Sequence, residues 1–219
     1  MSFPGRTFPA LGAVVAMVAL GSACSGSGGD EGRDRSDDSI GWKTCNALFG
    51  TDRIDALQKE FGAGTLETFN YKPLDELTSN WVDLARSWKP GENAHFASFP
   101  CQLGIDGTGK RFSSVVSWSL FALEYTKFKD GWKSMGNNQY VRREENGLHL
   151  TAVFPCKIKG SHEDQEAELS LEIETRIRNV PGFDTELLSQ MTAQLARTLT
   201  DELPCANDPK IPHKLPNSE

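Results

Sequence analysis

The sequence predicts an α+β domain, an antiparallel sheet of about five strands with helices packed on one face. Three observations carry that expectation. Apolar residues recur at helical spacing near both ends of the chain, they alternate between those ends, and an Asn-Gly pair joins two of the alternating runs. The chain has 219 residues, 38% hydrophobic and 24% charged, an ordinary globular composition. Its net charge of −7 provides no basic footprint, so no nucleic-acid partner is expected.

The elements follow in the order α-α-β-β-β-β-β-α. A helix is expected over 45–61, where Thr44 can cap a first turn and Thr51 or Asp52 a second. Ile54, Leu57 and Phe61 recur along one face and Gly62 stops it. Leu74, Leu77, Trp81, Leu84, Ala85 and Trp88 mark a second helix, ended by Pro90-Gly91. From His95 the period changes to two. Phe112, Val116, Trp118 and Leu120 alternate mainly with serines. Residues 139–144 pair with 148–154 across a two-residue Asn146-Gly147 turn. Ala167, Leu169, Leu171, Ile173 and Ile177 alternate with polar residues as a half-buried strand. Asp184 caps the last helix, Phe183 and Leu188 form a staple, and Leu187, Met191, Leu195, Leu199 and Leu203 line its buried stripe up to Pro204.

Residues 1–23 stand apart from this pattern. After Arg6, residues 10–20 are apolar or Gly, too short for the roughly 20 residues of a membrane-spanning helix. The run fits the apolar region of a secretory signal peptide. Its end, Leu20-Gly21-Ser22-Ala23-Cys24, resembles the lipobox of bacterial lipoproteins, with Gly21 standing where the usual pattern has an aliphatic residue. The resemblance implies cleavage between Ala23 and Cys24 and a diacylglycerol on the Cys24 thiol. Gly21-Ser22-Ala23 also fits an ordinary small-x-small cleavage site, which would cut the same bond and release a soluble product. Cysteine arithmetic favours the lipid. Five Cys leave one over in an exported chain, and alkylation of Cys24 removes the odd one. Ser25-Gly26-Ser27-Gly28-Gly29 and the charged stretch after it read as a flexible tether over 24–40.

The layout is similar to that of small cell-surface lipoproteins of actinomycete-type bacteria. It implies an exported chain held at the outer face of the cytoplasmic membrane by the lipid on Cys24. The folded domain then spans 41–205, with a disordered tail over 206–219, where Pro209, Pro212 and Pro216 fall. Cys45, Cys101, Cys156 and Cys205 remain for two disulfides. Three pairings exist, and 45–101 with 156–205 is expected because each staples a helix to the sheet. A weak internal echo, Phe99-Pro100-Cys101-Gln102-Leu103 against Phe154-Pro155-Cys156-Lys157-Ile158, reads equally as a duplicated hairpin or as coincidence.

Motifs for catalysis are sparse. Gly104-Ile105-Asp106-Gly107-Thr108-Gly109-Lys110 satisfies the phosphate-loop spacing, but Arg111 follows in place of Ser or Thr and a strand follows in place of a helix. It reads as a hairpin turn. His95, His149, His162 and His213 show no metal-ligand spacing, so no metal or cofactor is expected. Glu168, Glu172 and Glu174 alternate as a solvated sheet face. The remaining signal is a basic and aromatic stretch: Tyr125, Lys127, Phe128, Lys129, Trp132, Lys133, Tyr140, Arg142 and Arg143. Interleaved cations and rings suit an envelope polymer or protein partner; an edge hairpin guarded by Lys and Arg is the plainer account. The reading is a ligand- or partner-binding module of the envelope without evident catalysis. A secreted hydrolase would show a pocket with converging polar groups, and an accessory subunit a large exposed apolar patch.

Overall fold

The computed structural model describes residues 39–216, except Tyr71 and Ala94. The expected signal peptide, the Ala23–Cys24 cleavage site, the lipid site and most of the tether lie outside the described residues. The chain folds as α1 (Ile40–Phe49), α2 (Thr51–Phe61), β1 (Leu66–Thr68), α3 (Leu74–Ser87), β2 (Gln102–Ile105), β3 (Arg111–Trp118), α4 (Leu123–Phe128), β4 (Trp132–Gly136), β5 (Gln139–Arg143), β6 (His149–Phe154), α5 (Gln165–Glu168), β7 (Leu171–Arg178) and α6 (Thr185–Glu202). The expected α+β class and antiparallel sheet are present, but the sheet has seven strands, ordered β1-β2-β3-β7-β6-β5-β4, in place of about five.

The two extra strands are the edges. β1 has only three residues, too few to show a period. β4 reads Trp-Lys-Ser-Met-Gly and turns into β5 through Asn137 and Asn138, both at positive φ (50° and 57°), the conformation a tight hairpin turn demands. The expected first helix is two helices, broken at Gly50, whose φ of 76° and ψ of 152° lie outside helical geometry. Ser39, not Thr44, caps α1 by accepting a hydrogen bond from the Trp42 amide. Thr44 is buried and donates to the Lys72 carbonyl at 2.9 Å. Gly50, not Thr51 or Asp52, sits at the start of α2. Residues 165–168 form a helical turn, so the strand expected from Ala167 starts at Leu171. Asp184 caps α6 as expected, accepting from the Glu186 amide at 2.8 Å.

Period two sorts the sheet into two faces. Phe112, Val116 and Trp118 of β3, Leu171, Ile173 and Ile177 of β7, and Leu150, Ala152 and Phe154 of β6 share one face and join a buried cluster with α1, α2, α3 and α6. Trp81 is fully buried there, and the Trp118 indole donates to its carbonyl at 2.9 Å. Both expected disulfides are present. Cys45–Cys101 joins α1 to the start of β2, and Cys156–Cys205 joins the end of β6 to the residues after α6. Among the described residues no helix is long and apolar enough to cross a membrane.

The expected disordered tail is instead docked as far as residue 216. Leu215 is fully buried in the core cluster, Arg197 donates to the Pro212 carbonyl at 2.6 Å, and Gln139 donates to the Lys210 carbonyl at 3.0 Å. The segment carries no helix or strand, and one leucine anchors it.

Candidate binding surface

The opposite face of the sheet is open except where α4 crosses it. The Val153–Tyr140 register puts both side chains on this face, and Leu123 of α4 packs on them with Trp132 in a small separate cluster. Hence the helices do not all lie on one face. β3 ends at Trp118, so Leu120 is not a core-facing strand residue. It opens an exposed segment that runs through α4.

That segment concentrates apolar exposure. Leu120 is 57% exposed, Phe121 40%, Tyr125 51% and Phe128 72%. Phe121 and Tyr125 stack at 4.9 Å with planes 20° apart. Lys129 Nζ sits 4.3 Å from the Phe121 ring centre and 5.2 Å from that of Tyr125, so the ammonium lies against the side of the stack, within cation–π reach of both rings. Lys127 Nζ lies 5.0 Å from the Phe128 ring and 3.7 Å from Glu124. Glu124, Tyr125, Phe128, Lys129 and Asp130 frame a shallow concavity of about 460 Å³.

The structure divides the basic and aromatic residues singled out in the sequence. Lys127, Lys129, Trp132 and Arg142 come together on the open face, the Arg142 guanidinium 5.1 Å from the Trp132 ring. Tyr140 belongs to the face but is buried beneath α4. Lys133 pairs with Val141, a register that turns it to the other face. Arg143 also leaves the surface. It pairs with Leu150, and its guanidinium donates to the Gly147 carbonyl at 3.1 Å and to the Ser189 hydroxyl of α6. Burial pulls its pKa below the usual arginine value, opposed by Glu186. Period two forces this split, since neighbours in a strand face opposite ways. Leu120 and Phe121 were missed in the sequence; the end of serine alternation after Ser119 is the signal that the strand has stopped.

A second cluster occupies the open face. His149 contacts Glu144 through Nδ1 and Glu174 through Nε2 at 3.0 Å, while Arg176 lies 3.2 Å from Glu174. Burial lowers the His149 pKa, but hydrogen bonds to Glu174 and Glu144 outweigh it and leave the imidazole above its ordinary value. The same contact with His149 holds Glu174 below the usual carboxylate value. Glu174 is thus an ion-network member, not only a solvated side chain, and Glu172 accepts from the Ser119 hydroxyl at 2.8 Å. With both ring nitrogens engaged by carboxylates, His149 has no nitrogen left to activate a nucleophile. The hairpin already implied this cluster: closing the Asn146-Gly147 loop sets Glu144 opposite His149, its amide donating to the His149 carbonyl at 3.0 Å. That loop spans four residues, not two.

The phosphate-loop spacing is a hairpin turn. Thr108 donates to the Ile105 carbonyl at 2.7 Å, and Lys110 Nζ donates to the Phe61 carbonyl at 2.5 Å, capping the end of α2. His95 and His162 stand apart from each other in the chain, and no metal-binding group occurs among the described residues. The chain matches no family model, no curated protein and no solved structure.

Proposed function

We propose that this protein is a lipid-anchored, extracytoplasmic binding module of a bacterial cell envelope. The two disulfides suit an oxidising compartment outside the cytoplasm. Cys24, the fifth cysteine, carries the diacylglycerol and holds the domain near the membrane through the tether of residues 24–40. Two acyl chains suffice for stable anchoring at ~0.8 kcal/mol per buried methylene.

The observation that carries the binding role is the exposed Leu120–Phe128 segment with its lysines. Of the seven large apolar side chains exposed among the described residues, four fall in this one segment beside Lys127 and Lys129, the others being Ile40, Phe96 and Phe99. Such a patch marks a contact surface. The exposed patch favours docking over hydrolysis, since the histidine best placed for catalysis is saturated by carboxylates. Growth with radiolabelled palmitate tests the anchor. The wild type is labelled and sediments with membranes, and Cys24→Ala is unlabelled. Equal labelling of both chains, or recovery of an unacylated wild type in the medium, refutes it.

A further inference from the structure

We infer that residues 120–129 form a wedge that docks on a lipid bilayer bearing anionic headgroups. The inference rests on reading this segment as the binding face and names its partner. Four features of the segment select a bilayer over the other surfaces of an envelope.

The first is size. A six-residue helix is about 9 Å long, whereas a stable protein interface covers about 800 Å² on each partner. Four protruding side chains are too little for a shape-matched protein contact, and a fluid bilayer needs no shape match. The second is ring orientation. Carbohydrate recognition by stacking uses an open aromatic face, and Phe121 and Tyr125 each lose one face to the other, with the Lys129 ammonium against the side of their stack. What projects from the segment are side chains such as Phe128, 72% exposed, the geometry of insertion.

The third is chemistry. Phe, Leu and Tyr with Lys stems beside them reproduce the pairing found at membrane interfaces, where rings enter the headgroup layer and ammonium groups stay among phosphates. The fourth is charge. The chain as a whole is −7, yet residues 120–132 carry two lysines against two carboxylates, and Arg142 adds a cation at Trp132. An anionic surface therefore repels the rest of the molecule while this part, balanced in itself and carrying Arg142, is free to approach it, which orients the domain. Glu124 is neutralised by Lys127 at 3.7 Å, and Asp130 lies at the edge of the concavity beside Lys129.

The test uses the chain from Ser25 onward, which carries no lipid and retains the entire buried cluster and both disulfides. It is sedimented with vesicles of phosphatidylcholine alone or mixed with phosphatidylglycerol. We expect about tenfold stronger partition onto the anionic vesicles, falling with added salt. Phe121→Ser/Phe128→Ser loses about tenfold or more on both, Phe121→Leu/Phe128→Leu retains most of it, and Lys127→Glu/Lys129→Glu abolishes the anionic preference. Each variant is compared at an unchanged Tm, so misfolding is not mistaken for lost docking. Equal sedimentation of the wild type and the Phe→Ser variant, or none with anionic vesicles, overturns the inference. Retention on dextran sulfate that ignores both rings would also overturn it, while leaving the segment a binding face. Since Cys24 is absent from this chain, the outcome is independent of the palmitate result.

Discussion

The two faces of the sheet are built from the same seven strands and do different work. On the closed face, strand side chains meet four helices in one apolar cluster, two disulfides fix the margins, and even Thr175 and Thr192 satisfy each other at 2.6 Å. On the open face, charge pairs stand beside one small apolar cluster under α4, and α4 leaves rings in water. The difference teaches that stability and recognition are segregated here. Substitutions should separate cleanly into those that unfold the chain and those that only blind it.

The largest effect belongs to the closed face. Trp81→Ala removes a fully buried indole beside Trp118 and should cost about 3–5 kcal/mol in urea unfolding. A loss near zero would mean that α3 is not packed as described.

The ion network lies between the extremes. His149 has a raised folded pKa, so its contribution is fully present below its ordinary value of 6.5 and is lost as pH rises through the folded value. Glu174 has a depressed folded pKa, so its contribution is present above its ordinary value of 4.5 and lost as pH falls through the folded one. The network therefore supports the fold best between those ordinary values. His149 is buried, but its partners Glu174 and Glu144 are partly solvated, so screening holds the effect to about 1 kcal/mol. Urea midpoints of the wild type should fall from mildly acidic to alkaline pH, and His149→Gln should flatten that slope. An unchanged slope in the variant would remove the network from the account.

The smallest effect on stability lies on α4. Phe128→Ser should leave the unfolding free energy within about 0.5 kcal/mol of wild type, because the ring is already in water. A larger loss would make Phe128 a packing residue and dissolve the distinction between the faces.

Legibility in the sequence followed the same division. Closed-face elements were readable because burial on one side imposes a period, as in Leu171, Ile173 and Ile177 or the α6 stripe. The disulfides followed from which elements the cysteines join. The edges were illegible, since a three-residue strand or one reading Trp-Lys-Ser-Met-Gly has no period to read. The Phe-Pro-Cys echo shows how far local sequence under-determines structure. Phe154 is fully buried at the end of β6, and Cys156 leads into a loop locked by Gln165, which accepts from the Ile158 amide at 2.8 Å and donates to the Cys156 carbonyl at 3.0 Å. Phe99 is half exposed, and Cys101 leads directly into β2, where Ser114 donates to its carbonyl at 2.9 Å. The two segments share residues and a disulfide but stand at opposite ends of a strand. The surface was half legible. Composition flagged the basic and aromatic stretch, but only register shows that Arg143 and Lys133 leave it and that Leu120 and Phe121 join it.

Amide hydrogen exchange on the chain from Ser25, with and without phosphatidylglycerol-containing vesicles, tests the segregation of faces most directly. The account predicts new protection confined to residues 120–132, with the closed-face helices unchanged. Protection centred on the helices of the closed face, or none at all, would contradict it.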